Sequence, residues 1–253
     1  MPRQGRKKSK TGVYHVMIRG INRQILFEDE EDKQKFIETI KQYKEKSGYK
    51  ILGYCLMDNH VHLLIHEGKE ALEIAMKRIG VSYVYWYNLK YKRSGHLFQD
   101  RYKSEPVEND GYLLTVLKYI HQNPLKAAIV SQIGDYVWSS YGEYSSGRHC
   151  VVDTDLVLGM FSNDKRKLEQ YLSEDQKLSE ENILEFKETS RLFDEEAKEI
   201  IEQSIGKMTL YELRNAEKGE RDEILRSLKG IDKLSIRQIA RVTGFSVNIV
   251  AKA

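Results

Sequence analysis

The sequence predicts an α+β fold, in which an antiparallel β-sheet domain is followed by an α-helical C-terminal region. Short apolar runs bounded by turn residues indicate β-strands at 14–18, 49–57 and 60–65. Charged segments with apolar residues at helical spacing indicate helices at 29–47 and 69–92. From about residue 152 onward the pattern is helical and acidic, so the sheet belongs to the first half of the chain.

The first elements are separated by turn residues. Ser47-Gly48 ends the first helix, and Asp58-Asn59 supplies a turn between the second and third strands. Because only this short turn separates those two strands, we expect them to pair as a hairpin.

The remaining elements complete a ferredoxin-like order. The second helix ends near Ser94-Gly95, and a fourth strand is predicted over 97–107. A third helix is predicted over 110–123, with Pro124 marking its end. The order β-α-β-β-α-β-α is that of the split βαβ, ferredoxin-like fold with one added helix. The helices are expected on one face of the antiparallel sheet.

The composition excludes several classes of protein. Of the 253 residues, 40% are hydrophobic and 31% are charged, so the chain can bury a core. No apolar run approaches the ~20 residues of a membrane span, and no membrane partner is expected. Cys55 and Cys150 lie far apart and form no CxxC pair, which argues against a disulfide framework and a zinc ribbon. A reducing cytoplasm is the expected location.

The distribution of charge suggests three segments. Residues 1–150 carry 24 Lys and Arg against 17 Asp and Glu, and residues 151–253 carry 17 against 21. Within the second part, residues 229–253 carry five basic residues against one acidic residue. We predict a sheet domain at 1–150, an acidic helical region at 151–228 and a small helical unit at 229–253. The two basic zones favour a polyanionic partner, although ordinary surface charge explains the counts equally well.

The sharpest motif is His60-Val61-His62 on the third predicted strand. Because side chains alternate along a strand, both imidazoles lie on the same face of the sheet. Two converging imidazoles are a natural start for a divalent metal site. They are insufficient alone, and two structural histidines on a sheet face remain the alternative.

A second group of polar side chains lies on the helix over 110–123. Tyr112, Tyr119 and Asn123 follow one flank of its apolar stripe, whereas Gln122 falls opposite that stripe. At ~100° per residue, Asn123 lies one turn beyond Tyr119, so the two can face a common point. Asn123 can then offer a carbonyl oxygen to a metal. Packing at the edge of the core is the alternative for the tyrosines, and we prefer it for Tyr112.

Tyr119 is a candidate nucleophile. The pKa of tyrosine is ~10, which makes its hydroxyl a poor nucleophile at neutral pH without help. A metal ion beside it can polarise a phosphate group and stabilise the charge that develops. Attack would leave a covalent phosphotyrosine that keeps the bond energy, so DNA strands could be rejoined without ATP.

Four segments, in this order, resemble the HUH single-tyrosine transposases, and within them the REP-associated tyrosine transposases. The central segment is YCLMDNHVHLL at 54–64, and the others are YHVMIRG at 14–20, LFQDRYK at 97–103 and YIHQNP at 119–124. Together the segments span residues 12 to about 145. Four segments in the right order are far more specific than any one of them.

The resemblance implies a nuclease domain that acts on single-stranded DNA bearing hairpins, in DNA transposition and recombination. It implies that His60 and His62 are metal ligands and that Tyr119 forms a 5′-phosphotyrosine and releases a 3′-OH. Asn123 would complete the metal site, where many relatives have the longer Gln. The family's metal is Mg²⁺ or Mn²⁺. A mixed nitrogen and oxygen ligand set is compatible with Mn²⁺, whereas Mg²⁺ usually prefers oxygen alone. Relatives act as monomers or as homodimers.

Basic side chains around these motifs are predicted to contact DNA phosphates. They are Arg3, Arg6, Lys7, Lys8 and Lys10 in an N-terminal arm, together with Arg19, Arg23, Arg101 and Lys103. Near the C-terminus, Gly244 and Ser246 suit the turn and the second N-cap of a helix-turn-helix. Its second helix would present Asn248 and Lys252 to the major groove of duplex DNA. A helical hairpin for protein contact is the alternative.

Three functions remain open from the sequence. The first is a metal-dependent DNA endonuclease and strand transferase that uses Tyr119 and is associated with the nucleoid. The second is a non-catalytic DNA-binding regulator with the same fold and C-terminal helix-turn-helix. The third is a metal-dependent phosphodiesterase that uses water as its nucleophile, and it would retain activity in a Tyr119→Phe variant.

Overall fold

The computed structural model of the chain describes residues 6–146, 151–174, 183–184, 194–206, 208–231 and 234–253. These residues divide into two compact units, 1–185 and 186–253. The strands of the first unit are β1 (Val13–Arg19), β2 (Lys50–Met57), β3 (His60–His66) and β4 (Lys103–Pro106). Its helices are α1 (Glu30–Ser47), α2 (Leu72–Lys90), α3 (Asp110–Lys126), α4 (Tyr141–Ser146), α5 (Asp155–Met160) and α6 (Lys165–Ser173). The second unit contains α7 (Asp194–Ile205), α8 (Leu210–Asn215), α9 (Lys218–Lys229), α10 (Ile236–Thr243) and α11 (Val247–Lys252).

The four strands form one antiparallel sheet with the order β2-β3-β1-β4. β2 and β3 pair across the Asp58-Asn59 turn, which confirms the predicted hairpin. β1 lies between β3 and β4 and pairs antiparallel with both. The α+β class and the ferredoxin-like arrangement of the sheet are therefore confirmed. No helix in the described ranges combines the length and the apolar character that crossing a bilayer requires.

The fourth strand is shorter than the predicted 97–107. Phe98 forms an isolated bridge with Gly20, and regular pairing begins only where Lys103 meets Met17. Between these two pairs, the four residues 99–102 lie opposite only Ile18 and Arg19, so their segment bulges out of the ladder. Sequence patterning does not reveal a bulge of this kind, because it depends on how the two segments pair.

Helices cover both faces of the sheet, which corrects the expectation of a single covered face. Leu117 of α3 lies over Gly53 of β2, on the face that carries His62; a Cβ at Gly53 would lie 2.6 Å from Leu117 Cδ1. Ile18 of β1 points to the opposite face, where it shares a groove with Met76 of α2. The physical reason is visible in β2 and β3, which are apolar almost throughout, as strands buried on both faces are.

The prediction that α3 ends at Pro124 is wrong, because the helix continues to Lys126. Proline removes one backbone donor, but the next turn still closes when Ala127 N donates to Asn123 O, 3.0 Å away. The N-terminus of α3 follows the prediction, since the Asn109 side chain accepts a hydrogen bond from Tyr112 N. The extra turn brings Lys126 close to Tyr119, where its Nζ lies 5.0 Å from the ring centroid.

Residues 151–174 pack with the first unit, so the division of the chain does not coincide with the predicted boundaries at 150 and 228. Asp153 N donates to Ile51 O at 2.7 Å, next to a parallel bridge between Ile51 and Val152. Gln122 of α3 donates to Leu172 O at 3.0 Å at the end of α6. Helix α6 therefore covers the side of α3 that the predicted helix leaves facing solvent, and Gln122 is buried.

The second unit has its own core, which joins α7 and α9 to the last two helices. Its fully buried side chains include Ile201, Leu225, Ile239 and Val250. Helix α10 ends at Gly244 with a φ of 79°, a conformation that glycine adopts without strain. The Ser246 side chain then caps α11 by accepting from Ile249 N. The helix, turn and helix predicted from this segment are thus present.

Candidate active site

Two histidines of β3 define the centre of the site. His60 and His62 lie on one face of the sheet, with ring centroids 5.0 Å apart. In the antiparallel register, His62 is opposite Met17 of β1 and Cys55 of β2, so it lies in the middle of the sheet. His60 is opposite Arg19 at the end of β1, where the sheet opens to solvent. The alternation predicted from the sequence therefore brings both imidazoles to one place.

Each of these histidines forms a hydrogen bond through Nδ1. His60 Nδ1 lies 2.7 Å from the side-chain oxygen of Asn59, which is the preceding residue in the turn. His62 Nδ1 lies 3.0 Å from Nε2 of His15 on β1. The two contacts hold the rings so that both Nε2 atoms are turned away from these partners.

Helix α3 brings Tyr119 and Asn123 to the same face of the sheet. The apolar side chains of Leu113, Val116 and Ile120 anchor the helix in the core. Asn123 Nδ2 lies 3.3 Å from His62 Nε2, and the Tyr119 ring centroid lies 5.5 Å from that of His62. Tyr119 and Asn123 thus face a common point, as helical spacing predicts, and His60 and His62 lie beside that point.

Burial keeps the imidazoles of this site neutral. Removal from water lowers the pKa of His15 to about 3 and that of His60 to about 4, the latter against a smaller opposing effect of a hydrogen bond with Asn123. Burial, and then the neighbouring His15 and His60, lower the pKa of His62 well below its usual value. Neutral imidazoles offer the lone pairs that a metal ion needs.

Three residues beside the site were not assigned a role from the sequence: His15, Asn59 and Lys126. His15 and Asn59 lie within the matching segments, but no local pattern shows that they contact His60 and His62. His15 meets His62 only because of the register in which β1 pairs with β3, and a single sequence does not specify that register. Lys126 was overlooked because the helix was expected to end at Pro124.

The predicted DNA-binding residues of the first unit are distributed over several surfaces. Arg19 and Lys103 lie beside the histidine site; partial removal from water and the Arg19 charge lower the pKa of Lys103. Lys7, Lys8, Lys10 and Arg23 are exposed. Arg3 lies outside the described residues.

Arg6 and Arg101 lie elsewhere, on the rim of a groove of about 890 Å³ that also contains Phe98 and Tyr102. The Arg6 guanidinium stacks on the Tyr102 ring, 3.9 Å from its centroid. Ile18 lines this groove and points away from the face that carries His62. The groove therefore lies on the opposite face of the sheet from His62.

In the second unit, Asn248 and Lys252 are exposed and lie one turn apart on α11. Their spacing of four residues puts them on one side of the helix, as predicted. The apolar stripe of α10 is only partly buried: Ile239 is fully buried, whereas Ile236 is 40% exposed.

Comparison with known proteins shows a similarity to one family of transposases over the N-terminal domain. The fold is similar to that of a solved structure of a REP-associated tyrosine transposase bound to a REP hairpin, with a TM-score of 0.51 and 20% sequence identity. The similarity covers 58% of this chain and 87% of the other. A search of curated proteins found no significant match. The sequence model of the family described as "Transposase IS200 like" matches residues 8–123, which include both histidines, Tyr119 and Asn123. Within this N-terminal domain the chain is therefore similar to the IS200-like transposases, in agreement with the resemblance to the HUH single-tyrosine transposases.

Proposed function

We propose that the protein is a metal-dependent endonuclease and strand transferase that cleaves hairpin-bearing single-stranded DNA through Tyr119. The observation that carries this proposal is the convergence of His60, His62, Tyr119 and Asn123, from a strand and a distant helix, at one position. A domain that only binds DNA has no physical need for a buried tyrosine beside two neutral imidazoles. This argues against the non-catalytic regulator.

The side chains of the site fit a divalent metal ion that is shared with the DNA. His60 and His62 would bind it through Nε2, and Asn123 through its amide oxygen. Among the described residues, no group of three or more His, Cys, Asp or Glu side chains is arranged to hold a metal ion. The protein therefore supplies few ligands, and DNA phosphate oxygens and water would complete the coordination, as is common for Mg²⁺. Two nitrogen ligands favour Mn²⁺. A bound metal ion would stabilise the charge that develops on the phosphate.

The residues of this chain then act on the DNA as follows. The Tyr119 oxygen attacks the phosphorus, its proton passes to solvent, and the bond from phosphorus to the 3′ oxygen breaks. The DNA 5′ end remains on Tyr119 as a phosphotyrosine, and the other strand leaves with a protonated 3′-OH. Attack of a 3′-OH on the phosphotyrosine reverses these steps and rejoins strands. Arg19 and Lys103 contribute positive charge for the flanking phosphates.

The expected partner is a DNA hairpin with a single-stranded flank. The similar solved structure contains a REP hairpin, which supports this choice for a chain of the same fold. The exposed arm residues Lys7, Lys8 and Lys10 would contact the hairpin backbone, and the aromatic groove beside Arg6 and Arg101 suits an unpaired base. The protein would act on the chromosome in the cytoplasm, as a monomer or a homodimer.

The decisive experiment measures the DNA–protein adduct. Hairpin-bearing oligonucleotides from the DNA flanking the gene are incubated with the full chain and Mn²⁺, Mg²⁺ or EDTA, and the products are separated on a denaturing gel. We expect an adduct that requires the metal and whose peptide, after proteolysis, carries the nucleotide on Tyr119. Cleavage without any adduct would establish water as the nucleophile, and specific binding without cleavage under either metal would establish the regulator.

A second candidate activity, duplex DNA binding, is favoured by the geometry of α10 and α11. Replacement of both Asn248 and Lys252 by alanine is expected to weaken non-specific binding to duplex DNA, and to weaken it about equally for duplexes of different sequence. The slope of log affinity against log salt concentration should decrease in magnitude by about one, because one lysine–phosphate contact is lost. Binding is measured by fluorescence anisotropy between low and high salt. Replacement of the exposed Lys198 on α7 is the control, and unchanged duplex binding in the double variant would exclude this role for α11.

A further inference from the structure

We propose that His15 is a positioning residue for the metal site, because its hydrogen bond fixes which nitrogen of His62 carries the proton. This inference rests on the proposed function, since it assigns a task toward the metal ion. It concerns a side chain to which the sequence analysis assigns no role. His15 contacts neither the DNA nor the metal position, and it acts only through His62.

The contact between the two rings is direct and fully buried. His15 Nε2 lies 3.0 Å from His62 Nδ1, and the two side chains are 0% and 1% exposed. The strand register explains the contact: His15 is opposite Leu64 and His62 is opposite Met17, so the two histidines are diagonal neighbours on one face. Because both side chains are withdrawn from solvent, the direction of this hydrogen bond is set by the two rings and their other partners.

Both ring nitrogens of His62 have a partner, so His15 and the Asn123 side chain together decide where the His62 proton lies. The Asn123 side-chain nitrogen, 3.3 Å from His62 Nε2, is an amide that only donates. With the Asn123 amide in this orientation His62 Nε2 accepts, which leaves the His62 proton on Nδ1. That N–H donates to His15 Nε2, and the His15 proton consequently lies on Nδ1.

His60 reaches the same state through a different partner. The Asn59 side-chain oxygen only accepts, so His60 Nδ1 must donate to it across their 2.7 Å contact. The contacts at Nδ1 thus favour, for both candidate ligands, a proton on Nδ1 and a lone pair on Nε2. Metal-binding histidines commonly donate their other N–H to an acceptor that orients the ring. For His60 that acceptor is Asn59, and for His62 it is His15.

The other nitrogen of His15 shows that the residue is not optimised for packing. His15 Nδ1 is buried and has no hydrogen-bond partner within the part of the chain that the structure describes. A buried N–H group without a partner costs stability, so an apolar ring would suit this position better. His15 is also unsuited to be a third ligand, because its Nε2 is engaged by His62. What His15 provides and an apolar residue would not is an acceptor, Nε2, for the His62 Nδ1–H.

The test compares His15→Phe, which removes the acceptor, with His15→Gln, whose side-chain oxygen can accept from His62 Nδ1. The first readout is the tautomer of His62 in the metal-free protein, from imidazole ¹⁵N NMR. The second is Mn²⁺ affinity in the presence of a DNA hairpin, from the electron paramagnetic resonance of free Mn²⁺. Thermal unfolding verifies that each variant is folded, and His15→Leu replaces His15→Phe if the larger ring prevents folding.

We expect the His62 proton on Nδ1 in the native protein and in His15→Gln. In His15→Phe the buried Nδ1–H loses its acceptor and the Asn123 amide can turn its oxygen toward Nε2, so we expect a shift of the proton toward Nε2. Mn²⁺ affinity should fall about 10- to 100-fold in His15→Phe, the usual effect of removing such a partner, and His15→Gln should recover most of it. A His62 proton on Nε2 in the native protein, or equal Mn²⁺ affinity in His15→Phe, would overturn the inference and leave the proposed function intact. If the native protein binds no Mn²⁺ while its His62 proton is on Nδ1, the metal-dependent function itself fails, and the role of His15 fails with it.

Discussion

Replacement of Tyr119 by phenylalanine is expected to abolish the covalent DNA–protein adduct and to slow cleavage by at least about 10⁴-fold, because the attacking oxygen is removed. The substitution deletes only the hydroxyl group. The ring contacts with His62 and His15, at centroid distances of 5.5 and 6.0 Å, remain available. Binding of the hairpin and thermal stability should therefore change little, and the loss should be confined to the chemical step. Single-turnover cleavage on a labelled hairpin oligonucleotide measures this effect.

Tyr112→Phe is the matched control on the same helix. Tyr112 lies two turns before Tyr119, and its hydroxyl donates to Glu105 at 2.7 Å rather than facing the histidines. We expect this variant to keep both adduct formation and cleavage. If Tyr119→Phe cleaves DNA as fast as the native protein, water is the nucleophile and the phosphotyrosine mechanism is excluded. Equal losses in both variants would instead indicate general damage to α3.

The parts of the site that could be predicted are those set by local geometry. Strand alternation puts His60 and His62 on one face, and helical spacing puts Tyr119 and Asn123 one turn apart. Each relation involves residues within four positions of one another in the sequence. The structure adds that the strand pair and the helix pair meet, with Asn123 Nδ2 at 3.3 Å from His62 Nε2. From the sequence, only the resemblance to a known family indicated this meeting.

The parts that could not be predicted depend on contacts between distant segments. The role of His15 follows from the register of β1 against β3, and a shift of one residue would have turned its ring to the other face. Gln122 was placed opposite the apolar stripe of its helix, on the side expected to face solvent. Helical spacing shows which side of a helix is apolar, but it does not show that another helix packs against the polar side. Helix α6 packs against that side, and its last carbonyl groups accept from Gln122. The sequence pattern of 151–174 shows helices but not where they pack.

His60→Ala is expected to lower Mn²⁺ affinity and metal-dependent cleavage by at least about 100-fold, because the site loses one of its two proposed nitrogen ligands. His60 is chosen over His62 because it lies at the open end of the sheet and is only half-buried, so its loss should disturb the core little. Binding of the DNA hairpin should be retained, since Arg19 and Lys103, which we propose contact its phosphates, are unchanged. Titration of Mn²⁺ and single-turnover cleavage measure the two effects.

His66→Ala provides the control on the same strand and the same face. His66 lies at the far end of β3, opposite Val13 and Lys50, six residues from His60 and outside the site. Its loss should leave Mn²⁺ affinity and cleavage unchanged, although both substitutions remove a half-buried imidazole from β3. If His60→Ala retains native Mn²⁺-dependent cleavage, His60 is not a ligand, and the metal must be held by His62, Asn123 and the DNA. If only His60→Ala loses cleavage while both variants still bind the hairpin, both variants are folded and recognise DNA. The loss would then assign to His60 a role in the chemistry rather than in recognition.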